Sequence, residues 1–200
     1  MREDTGGFHR TPRYSRLVKF PSGADWPDWQ RDYRYGALVI QPPHELAAGL
    51  DAIRDRLDPV SAGRFGAHIT VTPPFVGAAT RTDEARIGSV VRRVSPMSLR
   101  LGRPRQFGGS PVVYLPVVNA APVVRLRQLL LATGLFRLDL PHTTDFVPHL
   151  TISEFGTTPA AALSTVVPAP GARGFRVRSI AWVVPDEGFH FTVRQTFLLA

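Results

Sequence analysis

The chain has 200 residues, 44% of them hydrophobic, enough for one large domain or two small lobes to bury a core. Cysteine is absent, which excludes disulfides, thiolate catalysis and cysteine-ligated zinc or iron–sulfur centres. The net charge of +8 comes from 23 arginines and the single Lys19, and guanidinium forks favour anionic partners because they donate paired bonds to phosphate.

Residues 1–34 mix Arg, Asp, Gly and Pro with two tryptophans (DWPDWQRDYRYG) and show no sustained period, so they read as an N-terminal extension or loosely attached arm of unknown role. They lack the apolar segment of a signal peptide, and nowhere does the chain reach the roughly 18 uncharged apolar residues of a membrane span. A cytoplasmic protein without a membrane partner is expected.

The first strand is ALVIQ at 37 to 41. It is followed by HELAAGLDAIRDRL, where Leu46, Leu50, Ile53 and Leu57 recur at helical spacing. A histidine-bearing strand, FGAHITVT at 65 to 72, comes next. RTDEARIGSVVRRV reads as a connecting helix and MSLRLG as a strand. The order then repeats: VVYLPVV at 112 to 118 as strand, PVVRLRQLLLATG at 122 to 134 as a helix closed by Gly134, and FVPHLTIS at 146 to 153 as strand. AAALSTVV at 160 to 167 reads as a short helix. FRVRSIAWVV and HFTVRQTFLL close the chain as strands around the turn PDEG.

The predicted architecture is α+β, a bilobal pseudo-two-fold duplication with two antiparallel β-sheets facing a central groove and helices on the outside. The domain spans 35–200, with lobes built around 35–75 and 112–155.

His-x-Thr occurs five times, although six histidines and 15 threonines predict roughly 0.45 by chance. Context separates the five. In a strand, residues i and i+2 share a face, so His68, Thr70 and Thr72 lie together, as do His149, Thr151 and Ser153, with aliphatic residues opposite. His9 lies in the arm, His142 in the loop LPHTTD, and His190 in a strand with no counterpart in the first half. His68 and His149 are therefore the candidate pair.

These residues resemble the two-histidine (2H) phosphoesterase superfamily, the LigT-like proteins that include RNA 2′,3′-cyclic phosphodiesterases often called 2′-5′ RNA ligases. The match rests on HIT at 68 to 70 and HLT at 149 to 151, with PPF at 73 to 75 and the segment LGRPRQFGGSPVVYLPV. The resemblance implies that His68 and His149 are the catalytic pair, that Thr70 and Thr151 bind phosphate, and that the reaction opens a cyclic phosphate on a nucleotide or RNA end. No cofactor and no metal are implied, and a monomer is expected.

Secondary candidates for substrate contact are Tyr114, Phe75, Arg105 and His142, with Phe155 and Trp182 as further stacking rings and Arg64 and Arg137 as further phosphate contacts. Three alternatives stand beside this reading. One is an RNA- or nucleotide-binding module without turnover, and another is 2′-5′ RNA ligase activity. The third is a metal site of His68, His149 and Glu154, disfavoured because a regular strand turns Glu154 away from His149.

Overall fold

The structure is a computed structural model that describes residues 20–141, 143–157, 160, 163, 167 and 173–200. His142 and most of the segment 160 to 167 lie outside the described residues, so the contact expected of the one and the helix expected of the other lie there too.

Residues 20–36, the described part of the segment before the first strand, are docked. Phe20 packs against Tyr35 and Trp182 at ring distances of 5.2 and 6.2 Å. The Trp26 indole N–H donates to the Glu187 carbonyl at 2.9 Å, and Asp32 pairs with Arg137 at 3.0 Å. A one-turn helix, α1 (Asp28–Asp32), lies in this segment. Gly36, with φ of +77°, turns the chain into β1 (Ala37–Ile40); a Cβ there would lie 1.8 Å from the Val183 carbonyl oxygen, so only glycine fits.

The leucine period forms α2 (His44–Leu57), with Leu50 and Ile53 buried. Asp58 ends it and caps α3 (Pro59–Arg64), accepting the Ser61 N–H, while Pro59 supplies a pre-set φ in the first turn. β2 (Ile69–Thr70) follows, and then α4 (Arg81–Val91), opened by a capping box between Thr80 and Asp83. β3 (Met97–Arg100), the two-residue β4 (Arg105–Gln106) and β5 (Val113–Pro116) lead to α5 (Ala121–Leu131). Gly134, at φ +72°, lies just past its end as the sequence predicts. β6 (His149–Ser153), β7 (Gly174–Val177), β8 (Ser179–Pro185) and β9 (Phe191–Leu198) complete the chain.

The fold is α+β with two antiparallel sheets. Seven strands run in the order β4-β5-β6-β2-β1-β8-β9, and β3 pairs with β7 in a small second sheet. β1–α2–β2 of the first half recurs as β5–α5–β6 in the second, and the halves join where β2 meets β6. Leu38, Ile40, Ile69, Leu115, Leu150 and Ile152 are buried on one face against the apolar stripes of α2, α4 and α5. The opposite face of the central strands carries the polar residues.

β4 was not expected, and two of the expected strands differ from expectation. β2 stops at Thr70 because the Val71 and Thr72 N–H groups both reach the Leu38 carbonyl, while the Thr72 hydroxyl oxygen accepts the Leu38 N–H at 3.0 Å; a side chain has replaced the ladder. The run FRVRSIAWVV splits at Arg178, so that its first part pairs with β3 and its second with β1 and β9.

Candidate active site

Residues paired across neighbouring strands project from the same face. Val39 is paired with Thr70, Ile69 with Leu150, and Pro116 with His149. One face therefore gathers Val39, Thr70 and His149, and His68 and Thr151, two residues along their own strands, share it. His68, Thr70, His149 and Thr151 all line one cavity of about 410 Å³, a volume suited to a nucleotide-sized ligand. All four residues are half-buried.

Both imidazoles are fixed in the same way. His68 Nδ1 is 2.8 Å from the Gly66 carbonyl and His149 Nδ1 is 2.6 Å from the Val147 carbonyl, in each case two residues earlier. Since a carbonyl only accepts, Nδ1 carries the proton and Nε2 is the free nitrogen in the neutral ring. α2 steadies the first loop: Asp51 accepts the Ala67 N–H at 2.7 Å, and Arg54 donates to the Phe65 carbonyl at 2.9 Å and to Asp51 at 2.7 Å. In the other half, Tyr114 stacks on Phe107 at 4.0 Å, and both rings meet His149 edge-on at 5.2 and 5.1 Å.

The electrostatics favour neutral rings. Burial drives the His68 pKa down to about 4; the Gly66 carbonyl opposes this, and the positive charges of Arg54 and His149 add to it. Burial also lowers His149, again opposed by its carbonyl partner.

Other candidates separate clearly. Phe75 is buried against Phe136 and Trp182, so it and Trp182 are core rings rather than substrate contacts. Tyr114 is buried and supports His149. Arg105 is exposed on β4, opposite Tyr114, and does not line the cavity. Arg137 is committed to Asp139 and Asp32. His190 sits at the exposed β8–β9 turn beside Asp186. Ser153 is also removed from the expected polar face: its hydroxyl oxygen accepts the Gly156 N–H at 2.8 Å.

Several cavity residues escaped the sequence reading. Arg54 and Arg127 are 3% and 6% exposed yet line the cavity. Arg127 donates to the Val71 and Thr143 carbonyls at 2.8 and 3.0 Å, its guanidinium lies 4.2 Å from the Phe146 ring, and it has no carboxylate partner among the described residues. The available signal was an arginine inside an apolar stripe: Arg54 follows Leu50 by four positions, and Arg127 follows Val123 by four. Glu154 is on the cavity wall 3.6 Å from Arg64, because β6 ends at Ser153 and the strand alternation no longer applies. Among the described residues no three His, Asp or Glu side chains are grouped to hold a metal ion, and no helix is long and apolar enough to cross a membrane.

The family model described as the 2′-5′ RNA ligase superfamily matches residues 42–188. The fold is similar to a crystal structure titled as a phosphoesterase, at 20% identity and a TM-score of 0.56 over 82% of this chain and 97% of that one. Escherichia coli LigT complexed with 3′-AMP is similar at 19% identity and a TM-score of 0.56, over 82% and 96% of the two chains. The TT0787 protein of Thermus thermophilus is similar at 19% identity and a TM-score of 0.52, over 81% and 96%. No curated protein sequence matches the chain. With the family model covering well over half its length, the chain belongs to the 2′-5′ RNA ligase superfamily, and it shares its fold with LigT.

Proposed function

We propose that the protein is a metal-independent phosphodiesterase that opens a 2′,3′-cyclic phosphate on a nucleotide or RNA end, with His68 and His149 as base and acid. The observation that carries this reading is the pairing of β2 with β6, which brings two carbonyl-anchored imidazoles and two threonines into one cavity.

His68, with its strongly depressed pKa, is the general base: its Nε2 takes a proton from water as the water oxygen bonds to phosphorus. On the opposite side the bond from phosphorus to ribose O2′ or O3′ breaks, and protonated His149 supplies the proton for that oxygen. Thr70 and Thr151 hydroxyls donate to the non-bridging oxygens, where negative charge grows in the transition state. Arg54 and Arg127 make the cavity favourable for the anion. Escherichia coli LigT is complexed with 3′-AMP, one of the two monophosphates such an opening releases.

Incubation of the purified protein with 2′,3′-cyclic AMP in EDTA, with products separated by chromatography, tests the reading. Formation of a single 2′- or 3′-monophosphate is expected. Recovery of unreacted substrate by a protein that still binds 3′-AMP would favour a binding module instead.

A further inference from the structure

Between the docked N-terminal segment and His68 runs a continuous series of aromatic rings. Trp29 meets Phe189 at 5.3 Å, Phe189 meets Phe191 at 5.0 Å, Phe191 meets Phe65 at 6.2 Å, and Phe65 meets His68 at 5.0 Å. All five residues line the cavity. Phe189 is buried, whereas Trp29 is 46% exposed, so part of the indole is left open at the end of the series farthest from His68.

Arg64 stands beside that ring, its guanidinium 5.2 Å from Trp29 and 5.3 Å from the exposed Phe155. Its Nη1 is buried and makes no hydrogen bond with the described residues, although Glu154 lies 3.6 Å away. Glu154 is itself pushed toward the neutral form by burial, with Arg64 opposing. The wall thus offers an exposed aromatic ring and, over it, the guanidinium of an Arg64–Glu154 pair that makes no direct hydrogen bond. These suit a heteroaromatic ring whose edge carries both hydrogen-bond donors and acceptors, and a nucleobase has that chemistry.

We infer that Trp29, with Arg64 beside it, forms a nucleobase subsite that makes the enzyme select nucleotides over base-free cyclic phosphates. The inference rests on the reaction proposed above. Trp29 precedes the family-matched segment 42–188, whereas Arg64, Glu154 and Phe155 lie within it. Its position is secured away from the chemistry by Trp26 on Glu187 and by Asp32 on Arg137.

The test pairs substrates that differ only in the base. Turnover of 2′,3′-cyclic AMP is compared with that of methyl riboside 2′,3′-cyclic phosphate, and calorimetric binding of 3′-AMP with that of methyl riboside 3′-phosphate. The wild type should prefer the base-bearing member of each pair. Trp29→Ala should reduce that preference about tenfold, the scale of one base–aromatic stack, through KM rather than kcat. Trp29→Phe should keep most of it. No preference in the wild type, a preference that survives Trp29→Ala, or a loss shared equally by the base-free compounds would overturn the subsite. Base-dependent binding of 3′-AMP that is lost in Trp29→Ala, in a protein that turns over neither cyclic ester, would remove the reaction and leave the subsite standing.

Discussion

Ile69 and Leu150 face each other across the antiparallel junction of β2 and β6, and one step along each strand sets His68 opposite Thr151 and Thr70 opposite His149. Each imidazole therefore has the other half's hydroxyl as its cross-strand neighbour. In the proposed reaction an anion held by either threonine would lie between both rings. Under the proposed reaction, Thr70→Ala and Thr151→Ala should each lower kcat about tenfold to 10²-fold, less than loss of a histidine, and Thr→Ser should recover most of the activity. Steady-state kinetics on 2′,3′-cyclic AMP reads the difference.

The pH profile follows from the two depressed imidazoles. The proposed reaction needs His68 neutral, satisfied above about 4, and His149 protonated, satisfied only below a pKa itself under the usual 6.5. The maximum of kcat/KM for the free enzyme should fall on the acid side of neutrality and decline toward pH 8. Arg54→Gln removes a charge that helps keep His68 neutral, so the acid limb should move to higher pH.

His68 also links pH to stability. Its folded pKa lies below its unfolded value, so between pH 6.5 and 4 the unfolded chain takes up a proton that the folded chain does not. Stability should fall with pH across that window, and His68→Asn should flatten this part of the fall. Thermal unfolding at a series of pH values measures it.

Asp58 joins the two halves. Its Oδ1 accepts the Ser61 N–H at 3.1 Å, and its Oδ2 accepts the Glu154 and Phe155 N–H groups at 2.7 and 2.9 Å. Burial opposes its ionisation, but these bonds prevail and hold the carboxyl below its ordinary range. Asp58→Ala leaves three donors without that acceptor and should cost about 3 kcal/mol in denaturant unfolding. The carboxylate's contribution is present above the unfolded carboxyl pKa and is lost as pH falls through the folded one.

Arg127 pins the chain on both sides of the site through the Val71 and Thr143 carbonyls. Arg127→Met keeps the apolar stem but removes both donors. It should weaken binding of inorganic phosphate and lower the unfolding midpoint by an amount equivalent to about 1 to 3 kcal/mol.

The longer helices α2, α4 and α5 were legible because their signal is local, whereas the short α1 and α3 were not expected. Leu46, Leu50, Ile53 and Leu57 mark α2, and its bounds His44–Leu57 coincide with the expected segment. The histidine pair was legible from alternation within each strand. What lay outside that period was not. Ser153 has the right parity for the polar face but its hydroxyl oxygen accepts the Gly156 N–H, a turn bond that spacing does not encode, whereas Thr72 lines the cavity while its hydroxyl oxygen accepts the Leu38 N–H. Trp29 reaches the cavity only because Trp26 and Asp32 dock a segment without any period of its own. Arg54 and Arg127 also escaped, although each is a charge within an apolar stripe, a mismatch that points to a polar cavity behind the helix.

The proposed reaction has two imidazoles from different halves act on one phosphorus. Its most direct test is single-turnover opening of 2′,3′-cyclic AMP by His68→Ala, His149→Ala and the double variant, each checked for native unfolding behaviour. Each single change should slow the step by about 10² to 10⁴, and the double change should add little to the larger single loss. Wild-type-like opening by either folded single variant would contradict the account.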